Sequence, residues 1–250
     1  MEKTELKKQS TYRNKIYRNY KDDLDTRLVT GDYKTERKML KKYIVRNYLK
    51  YLPVDKDAKI LDLGCGQGHY IYVLQEMGYK NVIGVDYSAA NVEFGKKQGI
   101  KIHQGDAMDF LKTHPSAFDT IIFNDVIEHF NKDEIMELLD YLYDSLKTNG
   151  VVITKTDNEA NPFTGVSGRY MDFTHEIGFV SLSLEQVFFA AGFKDVKVFG
   201  ADIYIFGILG FLIKCVSKVV YFIYYLLCCM AGRWSIKIFE KNIICIARKQ

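Results

Sequence analysis

Five short apolar segments, each separated from the next by a polar stretch, constrain this chain more than any other feature. They are KILDL (59–63), NVIGVD (81–86), KIHQGD (101–106), FDTIIFND (118–125) and VVITKT (151–156). Between them lie helix-patterned stretches: one after the glycines to about Met77, one opened by Ser88 as N-cap, and one over 133–147. Strands alternating with helices predict a parallel sheet covered on both faces, an α/β doubly wound fold. Two later segments, DVKVFGA (195–201) and NIICIARK (242–249), read as further strands, and 183–192 as a helix before them. Upstream, apolar residues recur at three- and four-residue steps over 34–50, which predicts an amphipathic helix. With 48% hydrophobic and 26% charged residues the chain matches a folded domain. Three prolines and no visible repeat exclude a Pro-rich stalk or a solenoid.

The chemistry concentrates at the ends of the first three strands. Asp62 closes the first, and Gly64-Cys65-Gly66-Gln67-Gly68 follows. Glycines there let the backbone approach a ligand that a Cβ would exclude, and the next helix N-terminus is electropositive. A dinucleotide site wants a third glycine at position 69, where His69 stands. Asp86 closes the second strand and can accept from both hydroxyls of a ribose. Asp106 closes the third and can accept from an adenine amino group, with Ala107 and Met108 flanking the ring.

Taken together, ILDLGCGQGHY, GVDYS, QGDAMDF and FDTIIFNDVIEHF resemble the four motifs of class I S-adenosylmethionine-dependent methyltransferases over residues 59–156. The resemblance implies a Rossmann-like, mostly parallel sheet with an antiparallel last strand, and S-adenosylmethionine as cofactor. It places Asp62, Gly64 and Gly66 at the methionine end, Asp86 at the ribose, and Asp106 with Ala107 at the adenine, with Cys65, Gly68, Tyr87 and Met108 as further cofactor contacts. Asn124, closing the fourth strand, falls where cofactor and acceptor meet.

Methyl transfer to a hydroxyl calls for a base, and histidine suits neutral pH. His129, just beyond the fourth strand, and His175, in the loop after Thr156, are the candidates, with Asp172 placed to orient His175. His69 is expected in the first turn of the cofactor helix, and His103 and His114 to be structural or exposed. Arg169, Tyr170 and Lys155 are candidate acceptor contacts, the two cations for a carboxylate or phosphate. No Asp/Glu/His metal spacing is evident, so no metal is expected. The pattern Arg169-Tyr170, Asp172-Phe173-Thr174-His175 resembles methyltransferases of bacterial surface-polysaccharide assembly. That implies O-methylation of a sugar hydroxyl on a glycan, with a lipid-linked saccharide as partner. A quinone or lipid-headgroup methyltransferase is the alternative, and a non-catalytic membrane-attached scaffold keeping the fold is another. Nucleic acid is not expected, since no N/D-P-P-Y/F motif stands at the fourth strand.

Charge and hydropathy divide the chain unevenly. Residues 1–50 hold 15 of the 35 Lys and Arg and 7 of the 31 Asp and Glu, so they carry +8 and the remainder −4. Residues 203–232 are apolar or aromatic almost throughout, with Lys214 and Lys218 as their charges. This segment lies between two strands that pair side by side in the expected fold, so both its ends belong on one side of a bilayer. Lys214, Ser217 and Lys218 form a polar stripe suited to an interfacial helix. The reading is a basic helical extension (1–52), a methyltransferase core (53–202 and 241–250), and an apolar helical insert (203–240) for a membrane surface or a homodimer contact. Five cysteines without metal or disulfide spacing, and a charged start without an apolar run, lead to an expected cytoplasmic location, peripheral at the inner face of the membrane.

Overall fold

Ile60 and Leu61 are neighbours in sequence, point to opposite faces of one sheet, and are both fully buried. That pairing holds along the central strands and reflects helices packed on both sides. The computed structural model describes residues 12, 13, 16, 33–202 and 207–250. Apart from Tyr12, Arg13 and Ile16, the predicted helical character of 1–23 lies outside the described residues.

The elements run α1 (Tyr33–Asn47), β1 (Lys59–Leu63), α2 (His69–Glu76), β2 (Asn81–Asp86), α3 (Ala89–Lys97), β3 (Ile102–Gln104), α4 (Ala107–Lys112) and β4 (Phe118–Asn124). A 3-10 turn (Ile127–His129) precedes α5 (Lys132–Ser145), β5 (Leu146–Asp157), α6 (Gly165–Met171), α7 (Ser181–Ala190), β6 (Asp195–Gly200), α8 (Gly207–Met230) and β7 (Asn242–Arg248). The seven strands are ordered β3-β2-β1-β4-β5-β7-β6. All pair in parallel except β7, which runs antiparallel to both β5 and β6. The order reverses between β1 and β4, which is where open α/β sheets bind ligands. The sheet is the Rossmann-like one expected.

One face carries Ile60, Ile122 and Ile153 against Tyr43, Ile44 and Tyr48 of the α1 region and Leu74 of α2. The other carries Leu61, Ile121 and Phe123 against Leu138 and Leu142 of α5 and Phe188 of α7. α5 starts in a capping box: Asn131 Oδ1 accepts from Glu134 N at 3.0 Å, and Glu134 Oε2 accepts from Asn131 N at 2.9 Å. The same Glu134 oxygen holds Arg13 Nη2 at 2.9 Å, so the N-terminal segment is anchored at the mouth of the switch point.

The loop after β5 is not without structure. It contains α6 and returns to the sheet at an Asn158–Phe179 bridge. The insert is one helix, α8, in which only Gly210 is buried. Gly200 of β6 pairs with Ile243 of β7, so the insert leaves and re-enters at adjacent points of one sheet. Lys214 Nζ sits 2.6 Å from Asp202 Oδ1, and Tyr221 and Tyr224 lie on Phe239, which ties α8 along the fold.

Candidate active site at the switch point

The loop leaving β1 turns through three left-handed glycines, with φ of 70° at Gly64, 52° at Gly66 and 81° at Gly68. Gly64 is also pressed against the turn after β4: a Cβ there would lie 2.4 Å from Val126 Cγ2. At Gly66 a Cβ would meet nothing within 4 Å and would project into open space. The loop is held by Gly64 N and Cys65 N, which donate to Val85 O at 2.8 and 3.1 Å. Gly66 N donates to Asp86 Oδ2 at 2.7 Å, while Asp86 Oδ1 accepts from Ser88 N at 2.9 Å and Asn91 Nδ2 at 3.3 Å. Asp86 therefore both braces the loop and faces the cavity. Asp106 caps α4, accepting from Met108 N at 2.9 Å and Asp109 N at 3.1 Å.

A cavity of about 250 Å3 opens here. Gly64, Gly66, Asp86, Tyr87 and Asp106 line it, joined by Asp125, Val126, His129, Phe130 and Arg13. The other expected cofactor residues stand behind it. Cys65 packs on Gly84, where a Cβ would come within 2.5 Å of its sulfur, and burial pushes its thiol up. Gly68 caps α2, and Ala107 and Met108 pack on the core. Asn124 Oδ1 accepts from Tyr48 OH at 2.9 Å, and its Nδ2 is buried with no hydrogen-bond partner among the described residues.

Asp62 is also buried, and its Oδ2 lacks a hydrogen-bond partner among the described residues. Burial, and then the charge of Asp86, raises its carboxyl to about 8. Below that pH the unliganded carboxyl is mostly protonated, and a cationic ligand beside it drives ionisation. Binding of S-adenosylhomocysteine, whose methionine end carries an ammonium group, is expected to release a proton from Asp62 at pH 7. The release shrinks as pH rises through about 8, where the carboxyl is already ionised. Calorimetry in two buffers of different ionisation heat reads this directly, and Asp62→Asn should abolish it.

The expected catalytic residues come together around His129, which lines the cavity. Asp125, left-handed at φ 55°, turns the chain after β4 into the 3-10 turn that carries Glu128 and His129. Glu176 N and Ile177 N donate to Glu128 O at 2.8 and 3.2 Å, which docks the long loop on that turn. The imidazoles of His129 and His175 then lie 4.8 Å apart between centroids. The expected pairing of Asp172 with His175 is replaced by a chain to His129. Thr174 OH donates to Asp172 Oδ1 at 2.7 Å, so its oxygen accepts from His129 Nδ1–H at 2.7 Å. His175 Nδ1–H donates instead to Gly168 O at 3.0 Å. Burial, then the neighbouring His175, lowers His129 to about 4.

The candidate acceptor cations are engaged within the protein. Lys155 Nζ pairs with Asp125 Oδ2 at 2.6 Å, and Arg169 donates to the carbonyls of His175 and Glu176, fastening the loop. Tyr170 is 76% exposed. Sequence reasoning missed Glu128, Asp125 and Arg13. Glu128 adjoins His129, a signal that was there to use. Arg13 reaches the site by packing on Phe130 and pairing with Glu134 and Glu176, more than 100 positions away, and no local pattern announces that.

The glycine cradle, the open space at Gly66 and the unpartnered Asp62 and Asn124 atoms fit a methionine-linked nucleoside, and the fold belongs with proteins that use one. A methyltransferase from Archaeoglobus fulgidus superposes with a TM-score of 0.64 at 21% identity, covering 87% of this chain and all of its own. A phosphoethanolamine N-methyltransferase from Haemonchus contortus, solved with S-adenosylmethionine, does so at 0.58 and 16% identity, over 93% of this chain and 60% of its own. These show the S-adenosylmethionine-dependent methyltransferase fold, in keeping with the cofactor expected from the sequence. The chain itself belongs to a methyltransferase-domain family, whose model matches residues 34–198. The tRNA U34 carboxymethyltransferase of Helicobacter pylori strain Shi470 is 28% identical over 109 residues, 40% of this chain. The match spans about two fifths, 41%, of that curated relative's length.

Proposed function

We propose that the protein is an S-adenosylmethionine-dependent O-methyltransferase acting on a sugar hydroxyl of a membrane-held glycan precursor. The observation that carries this reading is the gathering of Glu128 and His175 around His129, which lines the cavity beyond the end of β4. A hydroxyl must lose its proton as it is methylated, and a site for one needs such groups within reach. Asp62, Gly64, Gly66, Asp86 and Asp106 would hold the cofactor. When bound, it supplies a methyl on a sulfonium; the S–C bond breaks with its electron pair returning to sulfur as the C–O bond forms. The protein's part is to align acceptor and donor and to take the proton.

The Arg169–His175 pattern supports a glycan acceptor, and α8 supports one held at a membrane. By length and composition α8 can cross a bilayer, but strands β6 and β7 pair at both its ends and cannot lie on opposite sides of one. In this reading the helix lies in the interface at the inner face of the cytoplasmic membrane, with Leu212, Val219 and Ile223, on the face opposite Lys214 and Tyr221, toward lipid. The +8 of residues 1–50 adds attraction to anionic headgroups. The −4 of residues 51–250 disfavours a nucleic-acid acceptor.

The test is transfer of labelled methyl from the cofactor to membrane extracts, separated into glycan, lipid-headgroup and quinone fractions. Label in the saccharide fraction, base-stable as an ether, supports the proposal; label confined to headgroup or quinone reassigns the acceptor. Flotation with anionic vesicles tests the helix. Loss of flotation in a Leu212→Ser, Val219→Ser, Ile223→Ser variant is expected, whereas a stable dimer that ignores vesicles makes α8 a homodimer contact.

A further inference from the structure

We propose that Glu128, His129 and His175 bind one divalent transition-metal ion beside the acceptor position. This deepens the reading above and rests on it for the ion's use in catalysis, though not for its binding.

Three observations carry the site. The first is proximity: one donor atom from each residue lies within 4.8 Å of the others. Ligand atoms on one tetrahedral centre stand about 3.3 Å apart at bonds of about 2.0–2.1 Å, so side-chain rotations closing about 1.5 Å complete the geometry. The second is Glu128. It is 4% exposed, Thr156 hydrogen bonds its carboxylate, and its Oε2 has no hydrogen-bond partner among the described residues. A buried carboxylate oxygen left so is costly unless a cation or donor meets it. Asp125 and Asp157 add negative charge close by.

The third observation is the orientation of the imidazoles. His175 commits its Nδ1–H to the Gly168 carbonyl, and His129 commits its own to Thr174, whose hydroxyl passes on to Asp172. Both rings therefore carry the lone pair on Nε2. Histidines that ligate metals are tied in this way, with the second nitrogen donating to a carbonyl or, through a hydroxyl, to a carboxylate. The sequence hides the cluster because 46 positions separate His175 from His129; the backbone bonds of residues 176 and 177 to Glu128 bring it in.

Two imidazoles and one carboxylate favour an ion of the manganese-to-zinc series over magnesium or calcium, which prefer all-oxygen shells. Three protein ligands leave positions for water or the acceptor hydroxyl. A hydroxyl bound there is acidified, its proton passing to solvent, and the histidines act as ligands.

Chelator-stripped protein titrated with MnCl2 and with ZnCl2 tests the site, S-adenosylhomocysteine being titrated in parallel. The expected result is one ion per chain, with electron spin-echo modulation from two imidazole nitrogens on Mn2+. Glu128→Gln and His175→Ala should each weaken binding by about 100-fold or more, and Thr174→Val by ~10–100-fold through the outer shell. Absence of saturable binding, or equal binding in Glu128→Gln and His175→Ala, overturns the site. Failure of the ion to bind while S-adenosylhomocysteine still does rejects this inference alone. The converse rejects the cofactor reading and leaves the ion site standing.

Discussion

Replacing His129 with alanine is expected to cut turnover by ~10²–10⁴-fold while S-adenosylhomocysteine affinity stays unchanged. The imidazole stands at the boundary of two sets of residues. On one side it lines the cofactor cavity with Gly64 and Val126; on the other it meets Thr174 and the ring of His175. Alanine removes the ring either as a base for the acceptor's proton or as a ligand to an ion that acidifies the hydroxyl. Binding of the product cofactor draws on the β1 and β2 loops, which the substitution does not touch. Isothermal titration and single-turnover methyl transfer measure the two quantities separately. Full turnover in His129→Ala would remove the cluster from the chemistry. Loss of cofactor binding along with activity would make His129 part of the cofactor cradle instead.

Gly64→Ala should destabilise the fold by about 2–5 kcal/mol and lose cofactor binding. Two costs combine at this position. The backbone is left-handed at φ 70°, which a Cβ disfavours, and that Cβ would stand 2.4 Å from Val126 Cγ2. Val126 belongs to the turn that launches Glu128 and His129. Relief by pushing that turn outward therefore displaces the catalytic cluster as well. Gly66→Ala is the informative comparison: it shares a positive φ of 52° but meets open space. It should keep most of the stability and lose affinity, because its methyl occupies the cavity. Thermal unfolding of both variants with and without S-adenosylhomocysteine checks this. Equal melting temperatures for Gly64→Ala and wild type would show that Val126 yields at no cost.

The part of the cavity lining at the ends of the first three strands was legible in the sequence because it is local. Asp62, the glycines, Asp86 and Asp106 each lie at a strand end or within six residues of one, and strand ends show as transitions from apolar runs to turn residues. The sheet supplies the rest, since parallel strands bring their carboxyl ends together whatever the helices between them contain. The mostly parallel order and the antiparallel β7 follow from the same alternation and the family resemblance.

The acceptor half was not legible, and the reason is contact across distance. Which partner Asp172 serves depends on how Thr174 turns, and it serves His129, not its near neighbour His175. Arg169 and Lys155 read as cations awaiting an anion, yet packing hands them loop carbonyls and Asp125. Arg13 enters from the other end of the chain through Glu134, Glu176 and Phe130. Sequence spacing thus determined the sheet and the glycine loop and carboxylates at its strand ends, since both depend on separation along the chain. Tertiary structure alone decided which charges are already neutralised and which donor atoms converge, because hydrogen bonds and ion pairs extend only a few ångströms and take no account of sequence separation.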